Sequence, residues 1–151
     1  MKRLLIVYHT QSGSSERLAR AAAEGAAREE GTRTRLCRAL EAGAEELRWA
    51  DGVLFCTPEN FGALSGGMKD FLDRTYYAVQ PEQLNRAYAL IVSAGNDGQG
   101  AVRQIERILR GYPMRAVADP LIVRGEPQPP HLAAATELGE TLASGLALGI
   151  F

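Results

Sequence analysis

Short unbroken aliphatic runs alternate with amphipathic segments of helical period along the whole chain, and this alternation constrains the fold more than any other feature. Leu4 to Tyr8 is the first such run. A strand that is apolar on both faces has to be covered on both faces, as in a parallel sheet between helices. Ser14 to Glu30 follows as an Ala-rich helix, with Leu18, Ala22 and Ala26 on one face and Gly31 to stop it. Thr32 to Ala39 alternates instead, with Arg33, Arg35 and Cys37 opposing Thr34, Leu36 and Arg38. That pattern suits a strand near a sheet edge, where arginine also discourages edge-to-edge pairing. Ala44 to Trp49 reads as a short helix, and Gly52 to Thr57 as a third strand ended by Pro58. Gly67 to Tyr77 carries Met68, Phe71, Leu72, Thr75 and Tyr76 at helical spacing. Ala87 to Ser93 is a fourth strand. Val102, Ile105, Ile108 and Leu109 mark a helix closed by Gly111 and Pro113. Met114 to Val123 is a fifth strand interrupted at Asp119-Pro120, and Gly125 to Pro130 is a proline-rich loop. Leu132, Ala135, Leu138, Leu142 and Leu146 line the last helix.

Strands and helices in this order, joined by right-handed crossovers, predict an α/β fold: a doubly wound, five-stranded parallel sheet, order 2-1-3-4-5, with helices on both faces. The 151 residues suffice for one such core, read as a single domain over 1–151. Open sheets of this kind bind ligands beyond the C-terminal ends of their strands, where the strand order reverses. The loops after strands 1, 3 and 4 are therefore expected to carry the function.

A net charge of −1 supplies no field to gather nucleic acid or an anionic membrane. The aliphatic run before Tyr8 is too short for a signal-peptide core, and Gly145 to Phe151 is too short to span a bilayer. A cytoplasmic protein without a membrane span is expected. Cys37 and Cys56 form no CxxC pair, and only His9 and His131 accompany them. Metal-ligand spacing is absent, so no metal is expected and both thiols read as small hydrophobes.

The loop after strand 1, His9-Thr10-Gln11-Ser12-Gly13-Ser14-Ser15, places four hydroxyls and a glycine between a strand and a helix. Backbone N–H groups, hydroxyls and the positive end of the helix can together wrap a phosphate without a lysine. The loop contains neither GxxxxGK[ST] nor GxGxxG, which argues against a nucleoside triphosphatase and a Rossmann dinucleotide site. On the residues alone, Ser12 or Ser14 serves equally well as a plain helix cap. His9 beside this loop reads as a proton donor or phosphate contact, or as a locally bonded packing residue. His131, at the start of the last helix, reads as structural.

The loop after strand 3 runs Thr57-Pro58-Glu59-Asn60-Phe61-Gly62-Ala63-Leu64-Ser65-Gly66-Gly67, then enters the helix at Met68-Lys69-Asp70-Phe71-Leu72-Asp73. Small residues let backbone approach a planar ligand, and Phe61 offers a ring to pack on it. Core packing or simple exposure of Phe61 is the bland alternative. Lys69 and Asp73, four apart, read as a solvated ion pair. The loop after strand 4, Ser93-Ala94-Gly95-Asn96-Asp97-Gly98-Gln99-Gly100, is rich in turn formers and reads either as a surface turn or as a set of N–H donors.

Tyr8 to Glu16 resembles the flavodoxin phosphate loop, T/S-x-T/S-G-x-S/T, with Ser14 where that family frequently has Asn. Thr57 to Arg74 resembles the flavin-ring loop of flavodoxin-like NAD(P)H-dependent FMN and quinone reductases. The resemblance implies a flavodoxin-like fold and an FMN cofactor. It implies that Thr10, Gln11, Ser12, Gly13, Ser14 and Ser15 hold the phosphate. Pro58, Glu59, Asn60, Phe61 and Gly62 would then flank the ring. Ser93, Ala94, Gly95, Asn96 and Gly98 would lie along its pyrimidine side, where N–H groups stabilise charge at N1 and O2 of the reduced flavin. Chemistry would occur on N5 of the flavin, with no catalytic side chain. NADH or NADPH would be the electron donor, and a quinone or other small molecule the acceptor.

The competing reading within the resemblance is a flavodoxin-type one-electron carrier. Shuttle flavodoxins are generally strongly acidic and flank the ring with aromatics; here the charge is −1 and the third loop has no aromatic. A receiver domain shares the topology but needs an acidic cluster after strand 1 and an Asp after strand 3, where this chain has His9-Thr10 and Thr57-Pro58. The resemblance also implies a homodimer or higher homo-oligomer. Tyr76-Tyr77 and the apolar tail Leu148 to Phe151 are the segments that would cover a partner, or would pack within the chain.

Overall fold

The computed structural model describes residues Met1–Phe151. In chain order the elements are β1 (Lys2–Tyr8), α1 (Ser14–Ala26), β2 (Thr32–Arg38), α2 (Ala44–Trp49), β3 (Gly52–Asn60), β4 (Ala63–Leu64) and α3 (Gly66–Val79). A 3-10 turn at Gln80–Glu82 follows, then β5 (Arg86–Ala94), α4 (Gln99–Gly111), β6 (Met114–Ala116), β7 (Leu121–Arg124) and α5 (Pro129–Ala147). The sheet order is β2-β1-β3-β5-β6, with β7 also on β5 and β4 on β3. Every pairing is parallel except β3 with β4. This is the expected flavodoxin-like α/β order, since β5 is the fourth long strand and β6 with β7 together make the fifth.

Side-chain alternation along the central strands builds two cores. Leu5, Val7, Val53, Phe55, Leu90 and Val92 point to one face, against Met68, Phe71 and Leu72 of α3 and Val102, Ile105 and Leu109 of α4. Leu4, Ile6, Tyr8, Leu54, Cys56 and Ile91 point to the other, against α1 and α5. There the two helices meet backbone to backbone. A Cβ at Gly139 would lie 1.9 Å from the Ala22 carbonyl oxygen, so only glycine permits this approach. Cys56 is fully buried and Cys37 half-buried, and both thiols are free. Burial pushes both thiols up in pKa, which favours the protonated form.

Several boundaries differ from expectation. Helix α1 ends at Ala26 instead of Glu30, and the chain turns through Arg28 N to Gly25 O before β2. Strand β3 continues through Pro58 to Asn60. Its neighbour β1 has ended, last pairing Tyr8 with Cys56, so the missing N–H of Pro58 breaks no ladder, and the strand still pairs Pro58 with Ser93 of β5. The fifth strand is two short strands, split at the interruption around Asp119-Pro120. Pro129 and Pro130 belong to helix α5, where proline is accommodated in the first turn because its missing N–H has no helical partner. Of the segments expected to face a partner, Tyr76 packs edge-on against Tyr112 and Phe151 lies over Gly145. Tyr77, Leu148 and Ile150 are exposed. No helix is long and apolar enough to cross a membrane.

Candidate active site

A cleft of about 500 Å³ opens at the C-terminal ends of β1, β3 and β5, where the strand order reverses. This volume lies within the range of about 300–1,000 Å³ common for small-ligand sites. One end is the loop between β1 and α1, from Thr10 through Ser15. Gly13 is the helix N-cap, in a left-handed conformation at φ 98°, and no side chain caps the helix. Ser12 and Ser14 therefore do not cap; their hydroxyls lie 3.3 Å from each other. Thr10 Oγ1 instead accepts from Gly13 N at 2.9 Å and holds the loop in its turn. The first bond of α1 runs from Arg17 N to Gly13 O, so the N–H groups of Ser14, Ser15 and Glu16 have no backbone acceptor. Ser15 is 1% exposed, lines the cleft, and its buried Oγ has no hydrogen-bond partner.

The middle of the cleft is the end of β3. Pro58, Glu59 and Asn60 line it. Asn60 Nδ2 donates to Gln11 Oε1, joining this wall to the first loop. Glu59 Oε2 accepts from Ala101 N at 3.0 Å and so satisfies a free donor at the start of α4. The chain then reverses through Phe61 and Gly62, both at positive φ, 53° and 71°, to pair Asn60 with Ala63. Two positive-φ residues between antiparallel strands make a tight hairpin whose twist matches its strands. Holding a phenylalanine there costs about 1 kcal/mol. The Phe61 ring is fully exposed and does not line the cleft. The hairpin is fixed to α4 twice more. Leu64 N donates to Gln104 Oε1 at 2.9 Å, and the Gly62 carbonyl sits where a Cβ of Gly100 would be, 1.8 Å from it.

Ser93, Ala94 and Gly95 form the far wall, whereas Asn96 and Gly98 do not line it. Asn96 faces solvent; Gly98 is the N-cap of α4 and packs under Ile122 and Val92. Sequence reasoning missed a fourth wall, made by Gly125 and Glu126 after β7, and Arg17 on α1. Gly125 N donates to Ala94 O at 2.8 Å, which ties this fourth loop to the third. All C-terminal loops of a parallel sheet emerge on one side, and that was the available signal for the loop after β7. Arg17, three residues after Ser14, shares its helical face, and that was the available signal for the arginine.

His9 stands apart from the cleft. Its Nδ1 lies 2.8 Å from Ser65 Oγ, the N-cap of α3, and its ring occupies the space a Cβ of Gly67 would fill. Burial lowers its pKa and so favours the neutral imidazole. It is a packing and hydrogen-bonding residue here, as is His131, whose Nδ1 accepts from Gln128 N at the start of α5. Lys69 and Asp73 form the expected exposed ion pair at 2.8 Å. The described residues hold no cluster of metal-ligating side chains.

The sequence profile of the NADPH-dependent FMN reductase family matches residues 1–126, which include every residue that lines this cleft. The chain belongs to that family. Among relatives of this FMN reductase family member, a flavodoxin from Aquifex aeolicus is 41% identical over 73 residues, 48% of this chain and 40% of that one. An NAD(P)H dehydrogenase (quinone) from Acidithiobacillus ferrooxidans is 35% identical over 95 residues, 50% of this chain and 48% of that one. The chain spans less than half the length of either relative. The structure of an archaeal flavodoxin superposes with a TM-score of 0.85 at 21% identity, covering 95% of this chain and 98% of that one, and shows the shared fold.

The residues present fit the phosphate end of FMN. The free N–H groups of Ser14 and Ser15 and the N-terminus of α1 lie at one end of the cleft, and the Ser15 hydroxyl is buried there without a partner. An unpartnered buried hydroxyl costs about 1–3 kcal/mol, and a phosphate oxygen is an acceptor that removes the penalty.

Proposed function

We propose that this FMN reductase family member is an oxidoreductase that takes hydride from NADH or NADPH and passes electrons to a quinone or another small acceptor. FMN, when bound, supplies the N5 atom that accepts hydride. The chain's own residues bind and orient it. The free N–H groups at Ser14, Ser15 and Glu16 hold the phosphate, and the Ser93–Gly95 backbone and the Pro58–Asn60 wall flank the remainder.

The observation that carries the reading is the lining itself. No aromatic side chain lines the cleft, because Phe61 stands exposed on its hairpin and the third wall is Ser93, Ala94 and Gly95. A ring bound in such a cleft keeps a face open to a second planar molecule. Alignment of a nicotinamide on that face supplies rate without an acid or base side chain. The nearly neutral chain also lacks the strong acidic field that steers a shuttle to basic partners. The test is anaerobic mixing of the FMN-loaded protein with NADH or NADPH. The flavin absorbance is expected to bleach fully with one equivalent of at least one of them and to return on adding a quinone. Bleaching by dithionite but by neither nicotinamide supports the one-electron carrier instead.

A further inference from the structure

We propose that Arg17 reads the terminal phosphate of the flavin nucleotide, and that Glu126 competes with that phosphate for its guanidinium. The inference rests on the FMN reading of the cleft and adds the charge that selects the phosphorylated flavin.

Arg17 is the one cationic side chain in the cleft lining. It lies one turn along α1 from Ser14, on the face that carries the phosphate-type loop. Its present partners are weak. Nη1 is 3.6 Å from Glu126 Oε1, with side chains 48% and 78% exposed, and Nη2 donates to Pro127 O at a long 3.4 Å. Exposed ion pairs at such distances contribute little. A phosphate monoester carries close to two negative charges near neutral pH and matches the planar guanidinium fork with two parallel hydrogen bonds. It is therefore the better partner.

Glu126 is placed to oppose it. The loop is anchored at Gly125, through its N–H to Ala94 O, and Glu126 follows immediately at the cleft wall. Its carboxylate partly offsets the Arg17 charge in the flavin-free protein and would repel an incoming phosphate. Binding then exchanges one anion for another on the same guanidinium, and the two residues act with opposite sign on affinity.

The experiment is titration of the flavin-free wild type, Arg17→Gln and Glu126→Gln with FMN and with riboflavin, followed by flavin fluorescence at two salt concentrations. Melting curves of the flavin-free proteins establish that each variant is folded. Arg17→Gln is expected to weaken FMN about tenfold, to leave riboflavin unchanged, and to flatten the salt dependence of FMN binding. Glu126→Gln is expected to tighten FMN severalfold without changing riboflavin. An unchanged FMN-to-riboflavin ratio in Arg17→Gln, or equal weakening of both ligands, overturns the proposal while leaving the FMN reading intact. A wild type that does not distinguish FMN from riboflavin removes both.

Discussion

Replacing Ser15 with alanine is expected to stabilise the flavin-free protein and weaken its FMN complex. The two signs follow from one observation, the buried Oγ without a partner. In the flavin-free state the hydroxyl has left water and gained nothing, so its removal relieves about 1 kcal/mol of desolvation penalty. A domain of this size then melts about 3 °C higher. In the proposed complex the same hydroxyl would donate to a charged phosphate oxygen, a bond of about 1.5–3 kcal/mol, or about 10- to 150-fold in affinity. Thermal melts without flavin and fluorescence titrations with FMN read the two effects separately. A lower melting temperature for the flavin-free variant shows that the hydroxyl is already satisfied. Unchanged FMN affinity shows that it does not face the phosphate.

Gly100→Ala is expected to be destabilising, against the usual sign for a glycine replaced within a helix. Alanine at an unconstrained helical position normally gains about 0.5–1 kcal/mol. Here the new Cβ would lie 1.8 Å from the Gly62 carbonyl oxygen and 2.7 Å from its carbon. Both are backbone atoms, so no rotamer relieves the clash, and the hairpin has to leave α4. Overpacking of this kind costs about 1–3 kcal/mol. The displacement also pulls on Glu59, bonded to Ala101 N, and on Asn60, bonded to Gln11. Both line the cleft, so FMN affinity is expected to fall about tenfold, or about 1.4 kcal/mol. Gly66→Ala is the control. It opens α3, has ordinary φ and nothing within 4 Å of its Cβ, and is expected to stay within about 0.5 kcal/mol of wild type with unchanged FMN affinity. Chemical denaturation and flavin titration of the two variants make the comparison. Equal behaviour of the two would mean that α4 does not hold the hairpin.

The parallel sheet was legible because Leu4–Tyr8, Val53–Cys56 and Ala87–Val92 are apolar on both faces, a pattern that few other environments produce. The three loops that reach the cleft followed from the topology, since β1, β3 and β5 end together at the reversal in strand order. The small elements were not legible. Ala63–Leu64 is too short to show alternation, and its turn is Phe61-Gly62 instead of the Asn-Gly that signals such hairpins. The hairpin exists because Glu59, Leu64 and Gly62 meet α4, contacts between residues some 40 positions apart that no local pattern encodes. Phe61 offered a ring by its type, with simple exposure as the alternative; it sits at positive φ in the turn, exposed and outside the lining. Nothing local in α1 sets Arg17 apart beyond the helical face it shares with Ser14. It becomes a site residue once the loop after β7, set down beside β5, brings Glu126 to the same cleft.

The most direct measurement of the central reading, that this cleft is a phosphate-anchored flavin site, is titration of the flavin-free protein with FMN and riboflavin under identical conditions. The two ligands share the ring and the ribityl chain and differ only in the phosphate. In the proposed complex the free N–H groups at the start of α1 and the Ser15 hydroxyl would hold that phosphate, and together they are expected to favour FMN by at least about 100-fold, or about 2.7 kcal/mol. Equal affinity for the two flavins, or binding of neither, contradicts the reading.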